Sequence, residues 1–160
     1  MSDGVFDVVT LSTALACGLI AGVFFSFSAF VMKALAALPP SQGISAMQSI
    51  NRFAITPLFM TALFGTAAAC VVLIVAALSS WPTAGGAYVL GGALLYVVGA
   101  ILVTIVFNVP RNDALAAARP DSAEAARLWS DYVASWTAWN HVRTISALAA
   151  ATLLTLALQE

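Results

Sequence analysis

Four long apolar runs, at about 8–32, 53–78, 87–107 and 138–158, alternate with shorter polar stretches along this chain. Each run reaches the roughly 20 residues that a helix needs to cross a bilayer. None shows the strict two-residue alternation of a barrel strand. Lipid offers no partner to a free backbone amide, so such runs predict helices, whose backbone bonds close internally. The pattern therefore predicts an all-α protein, a four-helix transmembrane bundle forming a single membrane domain over residues 1–160. The connections differ in character. The first, 33–52, holds Pro39-Pro40 and Gly43; the second, 79–86, is a short turn; the third, 108–137, is long and polar. Within the third, 123–132 predicts a short interfacial helix before the fourth span. Pro110 lacks an amide proton and disfavours helix at Val109, so the third span is expected to end near Asn108, with Asn112 capping a short helix.

Small residues recur every four positions in the first span (Ala14, Gly18, Gly22, Ser26), and Gly65 with Ala69 and the glycines 85, 86, 91, 92 and 99 mark the second and third. Such stripes let helix backbones approach closely.

Composition strengthens the membrane assignment. The chain is 62% hydrophobic and 8% charged, against about 25% charged in soluble domains. A net charge of −1 supplies no field for nucleic acid. The opening MSDGVFD is acidic and the apolar run behind it is too long for a cleaved leader, so the first helix is expected to be retained. Cys17 and Cys70 sit inside apolar runs and read as small buried residues. All six cations, Lys33, Arg52, Arg111, Arg119, Arg127 and Arg143, lie in the first and third connections or at the start of the fourth span. With four spans these share one side, which the positive-inside rule makes cytoplasmic, with both termini outside a bacterial-type inner (plasma) membrane.

The remaining polar side chains gather on that same side. Asn51 and Arg52 precede the second span, Asn108-Val109-Pro110-Arg111-Asn112-Asp113 closes the third, and Trp136-Thr137-Ala138-Trp139-Asn140-His141-Val142-Arg143 opens the fourth. At 100° per residue Trp136, Asn140 and Arg143 share a face, with His141 on the adjacent flank. A polar stripe this wide cannot all face lipid. Arg143 either turns into the bundle, with Asp113 or Asp131 as partner, or snorkels to the headgroups. Trp129 and Tyr132 suit an aromatic belt. Ser26 and Ser28 either bond back to helix carbonyls or line the same recess. His141, the single histidine, cannot form a paired metal or haem site within one chain, but one histidine suffices as a general base.

The segments Gly22-Val23-Phe24-Phe25-Ser26-Phe27-Ser28, Met47-Gln48-Ser49-Ile50-Asn51, Asn108-Val109-Pro110-Arg111-Asn112 and Trp136 through Arg143 together resemble the anthrone oxygenase-like family of small four-span membrane proteins. The resemblance implies oxidation of an activated aromatic methylene to a quinone by O₂, with no metal or organic cofactor and with O₂ as co-substrate. It implies a hydrophobic aromatic substrate that partitions into the lipid bilayer. On that reading His141 is the base, Asn140 and Asn108 donate to the enolate or peroxide, and Arg143 or Arg111 stabilises the negative charge. Trp136 and Trp139 stack on the polycycle, Asp113 orients His141 or pairs with an arginine, and Asn51 and Ser26 complete the substrate pocket. The competing reading is a non-catalytic membrane protein, a small-molecule carrier or a partner-docking subunit. A homo-oligomer is compatible with both, and would repeat His141 by symmetry.

Overall fold

The computed structural model describes residues 3–79 and 85–160, and every regular element among them is helical. Five helices follow in order: α1 (Gly4–Ala36), α2 (Pro40–Ala54), α3 (Pro57–Ser79), α4 (Gly86–Ala117) and α5 (Ala123–Gln159). All but α2 are long and apolar enough to cross a membrane, in agreement with the four-span bundle. Of the expected 79–86 turn, residues 80–84 lie outside the described residues.

The helices outrun the apolar pattern. Helix α5, at 37 residues, rises about 55 Å at ~1.5 Å per residue, well beyond a hydrocarbon core of ~30 Å. Segment 123–132 is helical as expected, but it continues into the fourth span without a break. Ser122 caps the start, its Oγ accepting from the amide of Ala125 at 3.1 Å, and no glycine or proline follows to interrupt it.

Helix α4 likewise runs past Asn108 to Ala117, contrary to the expected break at Pro110. The reason is a change of helical pitch. Residues Leu95–Leu102 and Thr104–Asn108 are π-helical, and the Val109 amide bonds back to the Thr104 carbonyl. The wider turns make room for the proline ring. The Arg111 side chain adds a donor beside the gap, its Nη1 bonding the Phe107 carbonyl at 2.6 Å. Asn112 consequently sits in mid-helix and caps nothing.

Helix α2 occupies most of what the sequence presents as a connection. Pro40 stands in its first turn, where a missing amide proton is harmless. Gln48 Nε2 donates to the carbonyls of Leu115 (2.8 Å) and Ala118 (3.1 Å), supplying donors that the end of α4 lacks. Between α2 and α3 the chain turns at Ile55 (φ −81°, ψ 67°), and the Thr56 amide bonds the Ala54 carbonyl, an inverse γ-turn. The second span therefore starts at Pro57 rather than residue 53.

Two cores stack along the bundle. One joins α1, α3, α4 and α5 through residues such as Cys17, Ile20, Leu63, Leu73, Tyr96 and Leu154. The other clamps α2 onto the ends of α1, α4 and α5 through Met32, Ile44, Met47, Leu115, Trp129, Tyr132 and Trp136. Glycines set the closest approaches. A Cβ at Gly92 would lie 3.1 Å from the Ala150 carbonyl, and one at Gly99 would run into the Ser146 side chain. The first-span stripe behaves otherwise: a Cβ at Gly18 or Gly22 would meet nothing within 4 Å. Helix α1 packs instead through the neighbouring stripe Ala14, Cys17, Ala21 and Phe24, so Gly18 and Gly22 fall beside the seam.

Gly43 is the tightest point of the second core, since a Cβ there would come within 2.8 Å of the Leu35 carbonyl and 2.9 Å of the Trp129 ring. Gly43→Ala is expected to destabilise the α2 layer by about 1–3 kcal/mol through overpacking. The check is the thermal unfolding midpoint in detergent micelles; an unchanged midpoint would show that α2 shifts freely.

Candidate functional site

Between the two cores lies a cavity of about 460 Å³, within the usual size of small-molecule sites. Helix α3 packs against the first half of α4, and both helices contribute residues to the cavity. Phe59, Met60 and Leu63 line it from α3, and Thr104, Val109 and Asn112 from α4. Phe24 of α1, Met47 of α2 and Trp136 of α5 supply the buried apolar wall, with the half-buried Phe27 beside them, while Arg52, Ile55, Asp113 and Ala116 form the exposed rim.

Trp136 is fixed from three sides. Its indole Nε1 donates to Asn112 Oδ1 at 2.8 Å, an oxygen that also accepts from the Tyr132 hydroxyl at 2.8 Å. Its ring lies against Phe27, with centroids 5.7 Å apart. Trp129 and Tyr132 stack in series beside it rather than forming a lipid-facing belt, and both are buried.

Arg143 also lines the cavity, at 5% exposure, which resolves its two possible placements in favour of the interior. Its guanidinium carbon lies 4.3 Å from the Phe24 ring centroid and 5.0 Å from that of Trp136. Its hydrogen-bond partners are Thr104 Oγ1 (3.2 Å) and Asn140 Oδ1 (2.6 Å), not Asp113 or Asp131. Asn140 is fully buried behind it, donating to the Phe24 carbonyl and to Ser28 Oγ, each at 2.7 Å. The Phe24 carbonyl stands just before the π-helical turn Phe27–Val31, where the backbone ladder is disturbed and a side-chain donor is useful.

The expected convergence of polar residues is thus only partly realised. Arg143, Trp136, Asn51 and Asp113 line the cavity. His141 does not: it is exposed on the opposite face of α5, because one residue past the inward-facing Asn140 turns the side chain outward by 100°. Asn108 is buried, but its Nδ2 donates to the Trp136 carbonyl at 3.2 Å, and it braces α4 against α5 rather than facing the cavity. Arg111 is drawn away by Phe107 and by Ser135 Oγ, which its Nε bonds at 3.0 Å. Trp139 stacks flat on Phe107, with centroids 3.5 Å apart and planes at 6°, outside the cavity. Ser26 bonds back to the Gly22 carbonyl. Ser28, by contrast, turns inward and lies 3.4 Å from Thr144 Oγ1.

Three contributors were given no place at the site by the sequence pattern. Thr104, Gln48 and Asn112 position the site: the first holds Arg143, the second ties α2 to α4, the third fixes Trp136. Thr104 stands one helical turn before Asn108, and that spacing was the available signal. Among the described residues no three His, Cys, Asp or Glu side chains gather as a metal centre requires.

Fold and cavity define the class: a multi-pass membrane protein with a ligand-sized, aromatic-walled cavity at one end of its helix bundle. Residues 57–153, from the start of α3 well into α5, match the family model for anthrone oxygenase, and the chain belongs to that family. No curated protein and no solved structure matches it.

Proposed function

We propose that this protein is a membrane-embedded, cofactor-independent oxygenase that oxidises an anthrone-like or other lipophilic aromatic molecule with O₂. The observation that carries the reading is the cavity itself, in a member of the anthrone oxygenase family: flat aromatic walls, one buried cation and one carboxylate on the rim. The substrate methylene lies between a carbonyl and aromatic rings, so loss of a proton gives a delocalised enolate. Asp113, the only carboxylate among the cavity residues, takes the proton in place of the outward-facing His141. Arg143 opposes the negative charge that forms. The enolate passes one electron to O₂, and the resulting pair combines into a peroxide at the former methylene carbon. Loss of water, with the second methylene proton, leaves the new carbonyl: one O₂ is consumed, one oxygen atom enters the quinone and one leaves as water. Phe24, Phe27 and Trp136 hold the rings and keep bulk water from the peroxide.

The cavity lies on the side that carries the cations. By the positive-inside rule it opens toward the cytoplasm of a bacterial-type inner membrane, with both termini outside. A partner-docking role for the polar cluster is disfavoured, because Asn108, Asn140 and Arg143 are each at least 95% buried.

Oxygen uptake with emodin anthrone, measured on purified protein in micelles, is expected to exceed the spontaneous rate. Asp113→Asn is expected to lower the enzymatic rate by about a hundredfold, the usual scale for a general base. Uptake no faster than the spontaneous reaction would refute the oxygenase reading.

A further inference from the structure

Arg143 is a buried charge that pairs with no carboxylate among the described residues. A guanidinium carries five N–H donors. Nη1 gives a hydrogen bond to Thr104 Oγ1 and Nη2 gives one to Asn140 Oδ1, both neutral oxygens. Nε is buried and gives none. The rings of Phe24 and Trp136 attract the cation through their faces but bring no net charge. Asn140 cannot adjust, because both bonds from its Nδ2, to Phe24 and Ser28, hold its Oδ1 toward the arginine. The surrounding residues therefore aim the guanidinium without neutralising it. Asp113 shares the cavity but sits on its exposed rim and is not among the partners of Arg143.

An uncompensated charge in an apolar enclosure is strongly unfavourable. The cavity beside this one is open, apolar-walled and large enough for a flat polycycle. We propose that the cavity binds its ligand as an anion: a flat aromatic body bearing a carboxylate or phenolate oxygen, separate from the reacting methylene, that is already ionised on arrival and docks against the guanidinium of Arg143. The inference rests on the same cavity as the oxygenase reading, but it concerns recognition before any reaction. A site that met negative charge only during turnover would leave the cation unpaired in every resting complex. A ligand that carries the charge relieves that penalty on binding, so acidic aromatics are selected over neutral polycycles of equal size.

The test uses two fluorescent probes with the same rings, anthracenecarboxylate and the neutral anthracenecarboxamide, titrated into purified protein in micelles of an uncharged detergent. The carboxylate is expected to bind at least about tenfold more tightly, the low end for a hydrogen bond to a charged group. Arg143→Gln is expected to level the two affinities and Arg143→Lys to retain a preference for the anion. Equal affinities in the unsubstituted protein would overturn the inference without reference to any variant. So would displacement of the carboxylate by phosphatidylglycerol added to the micelles, which would put a lipid phosphate on Arg143. Neither probe has an oxidisable methylene. Absent oxygen uptake with a preserved preference would refute only the oxygenase reading; normal uptake with no preference would overturn only this one.

Discussion

Asn140→Leu is expected to lower the stability of the folded protein by about 3 kcal/mol, while the adjacent substitution His141→Ala leaves it unchanged. The contrast follows from geometry one residue apart. Asn140 is fully buried and makes three side-chain hydrogen bonds that join α1, α5 and the Arg143 guanidinium. Within membranes each such bond contributes ~0.6 kcal/mol on average, with a maximum near 1.7. The larger part of the effect is the charged donor left behind: an unpaired buried group costs ~1–3 kcal/mol, and more when ionised. Leucine fills the volume, so a cavity is not the cause. His141 is exposed and forms no part of the cavity wall. Chemical unfolding in mixed micelles measures the stabilities, and oxygen uptake with emodin anthrone is expected to survive in His141→Ala. A histidine variant that loses turnover while staying folded would return the proton-transfer role to His141 and remove it from Asp113.

Trp136→Ala is expected to be the second severe substitution, with a loss of about 3–5 kcal/mol, the range for removing a buried aromatic side chain. Trp136 is 5% exposed and belongs to the second core while also lining the cavity. Its removal opens a void beside Phe27 and Tyr132, and strips one aromatic face from Arg143. It also leaves Asn112 Oδ1 with the Tyr132 hydroxyl alone. Trp136→Phe separates these roles. The ring and the cation contact persist while the indole donor is lost, so a drop of only about 1 kcal/mol is expected, the net worth of one hydrogen bond. Thermal unfolding distinguishes the two variants; similar losses in both would assign the stability to the indole hydrogen bond rather than to packing.

The four spans were legible because lipid imposes so strict a demand on the backbone: length and apolarity alone reported them. The shared face of Trp136, Asn140 and Arg143 on α5 was legible from their helical spacing, while the choice between an inward and a snorkelling Arg143 was made only by the packing. What escaped is explained by features that pattern does not carry. Pro110 reads as a helix end, because sequence spacing says nothing of a π-helical turn that accommodates the ring. Residues 40–52 read as a connection because α2 is amphipathic and packs on other helix ends rather than crossing the bilayer. His141 and Arg111 look chemically apt in one dimension, but side-chain direction decides: the first turns outward and the second is captured by a helix carbonyl. Chemistry named the residue types, and only the packing could say which of them share a space.

The uninterrupted course of α5 through both cores carries a further consequence. One continuous helix bears Trp136, Asn140 and Arg143 on a single face, so these three side chains move together on one side of the chamber. The facing side is jointed at Ile55 and Thr56, where the chain leaves helical geometry between α2 and α3. Accommodation of broader or narrower ring systems therefore falls to Ala54, Ile55 and Phe59. Exchanges at those positions are the ones that would retune which molecules fit, leaving the charged anchor where it stands.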